Sequence, residues 1–252
     1  MPLHLRLLLP NLGLAMGFAL GFVQPLGLLA GAGLIALVLF AQPYLPRALW
    51  SPLVLLCGIA FAAHLLPGFS PWPLWPPRQI SSDAAPYALR LSWDKLLVGL
   101  TLLAWWLGES HKTYRRPLLA GAVALTTLIA VPLLALMLGV VDWQPKWPDG
   151  LWLWLAVNLG VTVLAEELLF RGLLQTQLIA WLGVWPGLLL TALLFGAAHI
   201  PFSPLFALVA GAAGLGYGLL FHYSGRLSLA IALHLAVNVL HLLLLSYPLR
   251  LQ

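Results

Sequence analysis

The sequence predicts an all-α fold, a polytopic transmembrane helical bundle of about eight spans, within a range of roughly seven to nine. Three observations predict it. Hydrophobic residues make up 62% of the 252-residue chain and charged residues only 8%, against about 25% charged in soluble domains. Apolar runs recur from one end to the other, and a helical span needs roughly 20 such residues. Many of the twelve tryptophans cluster where those runs stop. Examples are Pro71-Trp72-Pro73-Leu74-Trp75-Pro76 and Trp143-Gln144-Pro145-Lys146-Trp147-Pro148, where an aromatic belt at the membrane surface would sit.

Residues 8–41 are apolar apart from Gln24-Pro25, which gives two short spans or one long kinked one, because proline removes a helix hydrogen bond and clashes with the preceding turn. Met1 to Arg6 precede an apolar run without a small-residue cleavage site and are read as part of a retained first span. A span over 49–66 follows. The stretch from Pro67 to Leu91, rich in Pro, Ser and Trp, is too polar and broken for a bilayer interior and is expected outside. A span over 93–107 leads to the basic cluster from Glu109 to Arg116, expected inside because short basic loops stay in the cytoplasm. The orientation then propagates. The span over 117–141 runs outward, the Asp142 to Gly150 loop lies outside, and a long helix over 151–182, broken or kinked near its polar motif, returns inward. Spans over 186–199, 204–222 and 227–246 complete the bundle, with Arg226 inside.

The chain reads as one membrane domain with a composition boundary near Gly150: N-terminal transmembrane helices over 1–149, and a core over 150–246 that holds the candidate chemical groups. The formal charge of +5 is topology information. A nucleic-acid-binding face would need its Lys and Arg in a stripe, and here they are read as scattered over loops. The single Cys57 excludes an internal disulfide and any paired-cysteine zinc or redox site; it is assigned to packing.

Of the seven acidic residues, Glu166 and Glu167 are the pair most deeply set in apolar sequence. An ionised side chain at a bilayer centre costs about 2.5–3.5 kcal/mol on insertion scales, so it needs a partner or a purpose. Glu167 and Arg171 are four residues apart, in the favourable order for an ion pair on one helix face. Glu166 is rotated about 100° away. Glu167 is therefore read as the paired, orienting carboxylate and Glu166 as the working one. Two further apolar segments each bring in one polar set: His199, with Phe195 four residues before it, and His234 with Asn238. Intramembrane polar groups face a bundle interior and pair with one another, so convergence on one cavity is the economical arrangement.

A carboxylate beside an imidazole can take a proton from water and make a nucleophile in a dry site. A second imidazole and a carboxamide can donate hydrogen bonds to the oxyanion formed when water attacks an amide. This is equipment for peptide-bond hydrolysis without a covalent intermediate. The glycine-rich run from Gly211 to Gly218, with Gly214 and Gly218 in GxxxG spacing, is assigned to close helix packing.

At these residues the sequence resembles the CPBP family of intramembrane glutamic proteases, which includes the CAAX prenyl proteases and bacteriocin-processing proteins. Its EExxxR, FxxxH and HxxxN motifs recur in order as Glu166-Glu167 to Arg171, Phe195 to His199, and His234 to Asn238. The resemblance covers roughly residues 150–245. It implies that Glu166 and His199 activate the water, that His234 and Asn238 form the oxyanion hole, and that Glu167, Arg171 and Phe195 support the site. It implies no cofactor, a membrane-anchored protein or peptide as substrate, no nucleic acid, and a multi-pass protein; a bacterial inner membrane is suggested by composition. Glutamic proteases that process C-terminal sorting signals would look alike here. Nothing in the sequence marks a prenyl-binding groove, a bacteriocin leader or a sorting signal.

Blander readings compete. The Glu pair with Arg171 can be a structural ion-pair cluster, His199 an interfacial histidine before Ile200-Pro201, and His234 with Asn238 simple interhelical glue. His241 is assigned to packing, and His4, His64, His111 and His222 to interfaces or solvent. There is no HExxH, GxSG or GxGD motif. Glu166, His199 and His234 form an alternative zinc set, since nitrogen and oxygen ligands with an open position suit zinc. A proton- or ion-coupled transporter would also place ionisable groups in the membrane, but no repeated halves are visible and the spans are few. A non-catalytic scaffold would have no need of all four of Glu166, His199, His234 and Asn238.

Overall fold

The structure, a computed structural model, describes residues 1–109 and 116–251. Nine helices are found among the described residues: α1 Leu3–Ala19, α2 Pro25–Leu39, α3 Arg47–Ala62, α4 Trp93–Trp106, α5 Pro117–Met137, α6 Leu151–Leu182, α7 Val184–Ala197, α8 Pro204–Ser224 and α9 Leu227–Leu244. The fold is all-α. Its one small sheet pairs β1, Trp72–Pro73, with β2, Arg90–Leu91, antiparallel. Helices α5, α6, α8 and α9 are long and apolar enough to cross a membrane, and α1, α2, α3 and α7 are shorter apolar helices. Of the basic loop expected inside, residues 110–115 lie outside the described residues.

Local chemistry explains the boundaries. The apolar stretch 8–41 resolves into two helices because Pro25 opens α2 at its first position, where its missing N–H costs nothing. Pro117 and Pro204 open α5 and α8 in the same way. Ser203 caps α8, its hydroxyl accepting from the Phe206 amide. Gly225 ends that helix with a left-handed φ of 65°, a conformation that side chains with a Cβ resist.

The chain forms two compact units. The first gathers α1 to α4 with Val157–Leu174 of α6. Its hub is α4, which packs against α1, α2, α3 and α6 and buries Leu97, Val98, Leu102 and Ala104. Where α4 meets α6, a Cβ placed on Gly99 would lie 3.4 Å from the Ala165 amide nitrogen, so the two backbones run close together one residue before Glu166.

The second unit gathers Trp75–Leu89, α5, the two ends of α6, α7 to α9 and the C-terminal tail. Its hub is α8, which packs against α5, α7 and α9. Glycines of α8 let several neighbours approach closely. Gly211 lies against Gly196 of α7, Gly216 against Thr127 of α5, and Gly218 against the Gln175 side chain, whose Nε2 donates to the Gly218 carbonyl at 3.0 Å. At one end of this unit the 75–89 segment, the turn after α5 and the tail interlock. The Ser246 hydroxyl donates to Asp83 Oδ2 at 2.5 Å, the Asp142 amide donates to the Ser246 hydroxyl at 2.8 Å, and the Arg78 guanidinium lies 3.5 Å over the Trp75 ring.

Candidate active site

Glu166 and Glu167 lie in the single α-helical turn Leu164–Glu167 of α6, between π-helical segments Asn158–Val163 and Leu168–Gln175. The break expected near the motif is thus a widening of the helix on both sides of the carboxylates. Such i→i+5 turns often occur at functional sites. Arg171 Nη1 donates to Glu167 Oε1 at 2.8 Å, and both side chains are completely buried. Glu166 is also held: Lys95 Nζ, from the first turn of α4, donates to its Oε1 at 2.7 Å. Sequence reasoning missed Lys95 and assigned the basic residues to loops, which Lys95 corrects. The signal was present in Asp94-Lys95, two adjacent charges inside an apolar run. Asp94 is itself buried, with Oδ1 accepting from the Lys95 amide at 2.8 Å and Oδ2 paired with the exposed His64 Nδ1 at 2.8 Å.

In the second unit, His199 lies two residues beyond the end of α7. Its Nδ1 lies 2.8 Å from the Phe195 carbonyl oxygen. That carbonyl belongs to the last turn, whose oxygens a helix end leaves to other donors. A carbonyl can only accept, so Nδ1 carries the hydrogen and Nε2 is the basic nitrogen of the neutral ring. Phe195 also supports His234: the rings meet edge-on with centroids 5.8 Å apart. Tyr217 of α8 stacks flat on His234 at 4.6 Å and 17°, and is itself 1% exposed. Tyr217 was passed over as part of a packing run; its mark is a large ring with a hydroxyl between Gly216 and Gly218.

His199, His234 and Asn238 line one cavity, with Phe195, Tyr217 and an apolar wall from Val131, Pro132 and Ala135 of α5. It offers about 70 Å³ to water, enough to hold ordered water. His241 lines it too, and is more than a packing residue: its Nε2 donates to the Ser246 carbonyl at 2.9 Å, tying the cavity wall to the tail. Glu166, Glu167 and Arg171 belong to the first unit, and His199, His234 and Asn238 to the second. Among the described residues no three His, Cys, Asp or Glu side chains are grouped as metal ligands. Cys57 sits half-buried in α3.

These features define an α-helical membrane protein that carries ionisable and hydrogen-bonding groups in its interior. Residues 148–240 match the model of a protein family described as type II CAAX prenyl endopeptidase Rce1-like, and this segment contains all three motifs. It is the CAAX protease family that the motifs resemble, and the four long apolar helices are those of an integral membrane protein. No curated protein and no solved structure matches the chain.

Proposed function

We propose that this protein is a metal-independent glutamic endopeptidase that hydrolyses a peptide bond near the tail of a membrane-associated protein or peptide. The family's name indicates a CAAX-type tail as the substrate class to try first. The observation that carries the reading is that His199, His234 and Asn238 line one largely apolar cavity of about 70 Å³. Glu166 and His199 are assigned to activating the water, which loses a proton to Glu166 as its oxygen adds to the scissile carbonyl carbon. The oxyanion accepts hydrogen bonds from a His234 ring N–H and the Asn238 carboxamide. The proton passes to the leaving nitrogen as the C–N bond breaks, giving a carboxylic acid and an amine. Glu167 and Arg171 hold the helix turn that carries Glu166, and the rings of Phe195 and Tyr217 hold His234. The composition suits a bacterial inner membrane, which fractionation of the native host would test.

The deciding experiment compares purified wild type, Glu166→Ala, and wild type stripped with a strong zinc chelator, on membrane-anchored tails. Loss in Glu166→Ala with survival under chelation is the expected result. Loss under chelation would turn the site into a metalloprotease, and full activity in Glu166→Ala would remove the catalytic reading.

A further inference from the structure

We propose that Lys95 is a positioning residue for Glu166: it fixes one carboxylate oxygen and keeps the group ionised, so that the carboxylate is ready to take a proton from water. The inference rests on the proposed function, in which Glu166 is the base, and adds to it a residue outside all three motifs. Four observations carry it. The Nζ to Oε1 distance is 2.7 Å, the short end of charge-assisted hydrogen bonds. Both side chains are largely buried, at 18% and 14% exposure, where water screens the pair little and an uncompensated carboxylate would tend to protonate. The two helices meet closely at Gly99 and Ala165, which sets the distance between the backbones bearing the pair. Finally, the first turn of α4 is itself anchored, since Asp94 holds the Lys95 amide with one oxygen and His64 with the other.

The neighbouring charges of the first unit have partners of their own: Arg171 is bonded to Glu167, and Asp94 to His64. Lys95 is a cation that reaches Glu166 from another helix. Its ammonium is a compact donor at the end of a flexible stem. Holding Oε1 restricts rotation of the carboxylate about its last bond, and so sets where the second oxygen points. The helix N-terminus that carries Lys95 adds a positive field of its own.

The test is a kinetic comparison of Lys95→Met and Lys95→Arg with wild type on a membrane-anchored tail. Loss of alignment in a reacting group costs up to about 100-fold, so Lys95→Met is expected to lower kcat about 10- to 100-fold with KM within about twofold, and Lys95→Arg to recover kcat to within about tenfold of wild type. A merely structural role would not respond to restored charge. An independent signature is the infrared carbonyl stretch of a protonated carboxylic acid at neutral pH, expected in Lys95→Met and absent from Lys95→Met/Glu166→Gln. If Lys95→Met does not accumulate, Lys95→Gln, which removes the charge and draws the donor one bond back from Glu166, is read by the same two assays. Wild-type kcat in Lys95→Met or Lys95→Gln, beside an inactive Glu166→Gln, overturns the inference and leaves the proposed function standing. An active Glu166→Gln overturns the proposed function itself.

Discussion

The Phe195 carbonyl oxygen lies 2.8 Å from His199 Nδ1, so a backbone group sets the tautomer of a cavity-lining histidine, while the ring of the same phenylalanine packs edge-on against His234. The two services are separable by mutation. Any residue at 195 keeps the carbonyl, and only the ring can be removed. Phe195→Leu should therefore retain the His199 tautomer and lose mainly the order of His234, lowering kcat while costing at most about 1.5 kcal/mol. Phe195→Ala should cost about 3–5 kcal/mol. Thermal unfolding in detergent with parallel kinetics checks both. An equal loss of activity in the two variants would show that ring contact with His234 matters more than cavity formation.

The buried Glu167–Arg171 pair predicts an asymmetry. Removing one member leaves a charge with no water to solvate it, which costs about 3–5 kcal/mol, whereas replacing both by apolar side chains of similar volume is often close to neutral. Glu167→Met and Arg171→Met should each unfold at much lower temperature than wild type. The double variant should regain most of the stability but not the activity. Melting curves of the three proteins decide this.

Asn238 is expected to act on the transition state rather than on folding. Asn238→Leu should lower kcat by about 10²- to 10³-fold, the usual cost of one oxyanion donor, with a small change in KM. Tyr217→Phe keeps the flat ring over His234 and should retain most activity, whereas Tyr217→Leu should not. Steady-state kinetics on one substrate reads all three.

Alkaline titration probes the interlocked end of the second unit. Burial raises the Tyr87 and Tyr247 hydroxyls above their ordinary value of 10.0, Tyr247 the more strongly. Raised phenols hold their protons in the folded state when the unfolded chain would release them, so stability should fall as pH rises above about 10. Lys146, lowered from 10.5 mainly by burial, acts in the opposite sense, since folding favours its neutral form and that penalty is relieved as pH rises. Tyr87→Phe/Tyr247→Phe should flatten the alkaline loss, as measured by unfolding midpoints against pH. A steeper loss in the double variant would contradict the assignment.

Much of the helical layout was legible in the sequence. Helix ends followed Pro25, Pro117, Pro204 and Gly225, because proline and glycine act through their own backbone. The Glu167–Arg171 contact was legible for a similar reason: partners four residues apart on a helix meet whatever surrounds them. The long α6, interrupted near Glu166, coincides with the helix expected over 151–182.

Contacts between distant segments were not legible. Lys95 reaches Glu166 across 71 residues of chain, Tyr217 stacks on His234 from another helix, and His241 ties the cavity wall to the Ser246 carbonyl. No periodicity announces such pairs, because they depend on which helix faces pack together. The widening of α6 into π turns likewise has no local code. The sequence by itself determined the membrane class, the helix ends and the residue types available for chemistry, all governed by local backbone preferences and hydrophobic length. Tertiary structure alone decided which cation holds Glu166, which rings orient His234, and which glycine of α8 meets which neighbour, because burial selects those partners only once the helices have packed.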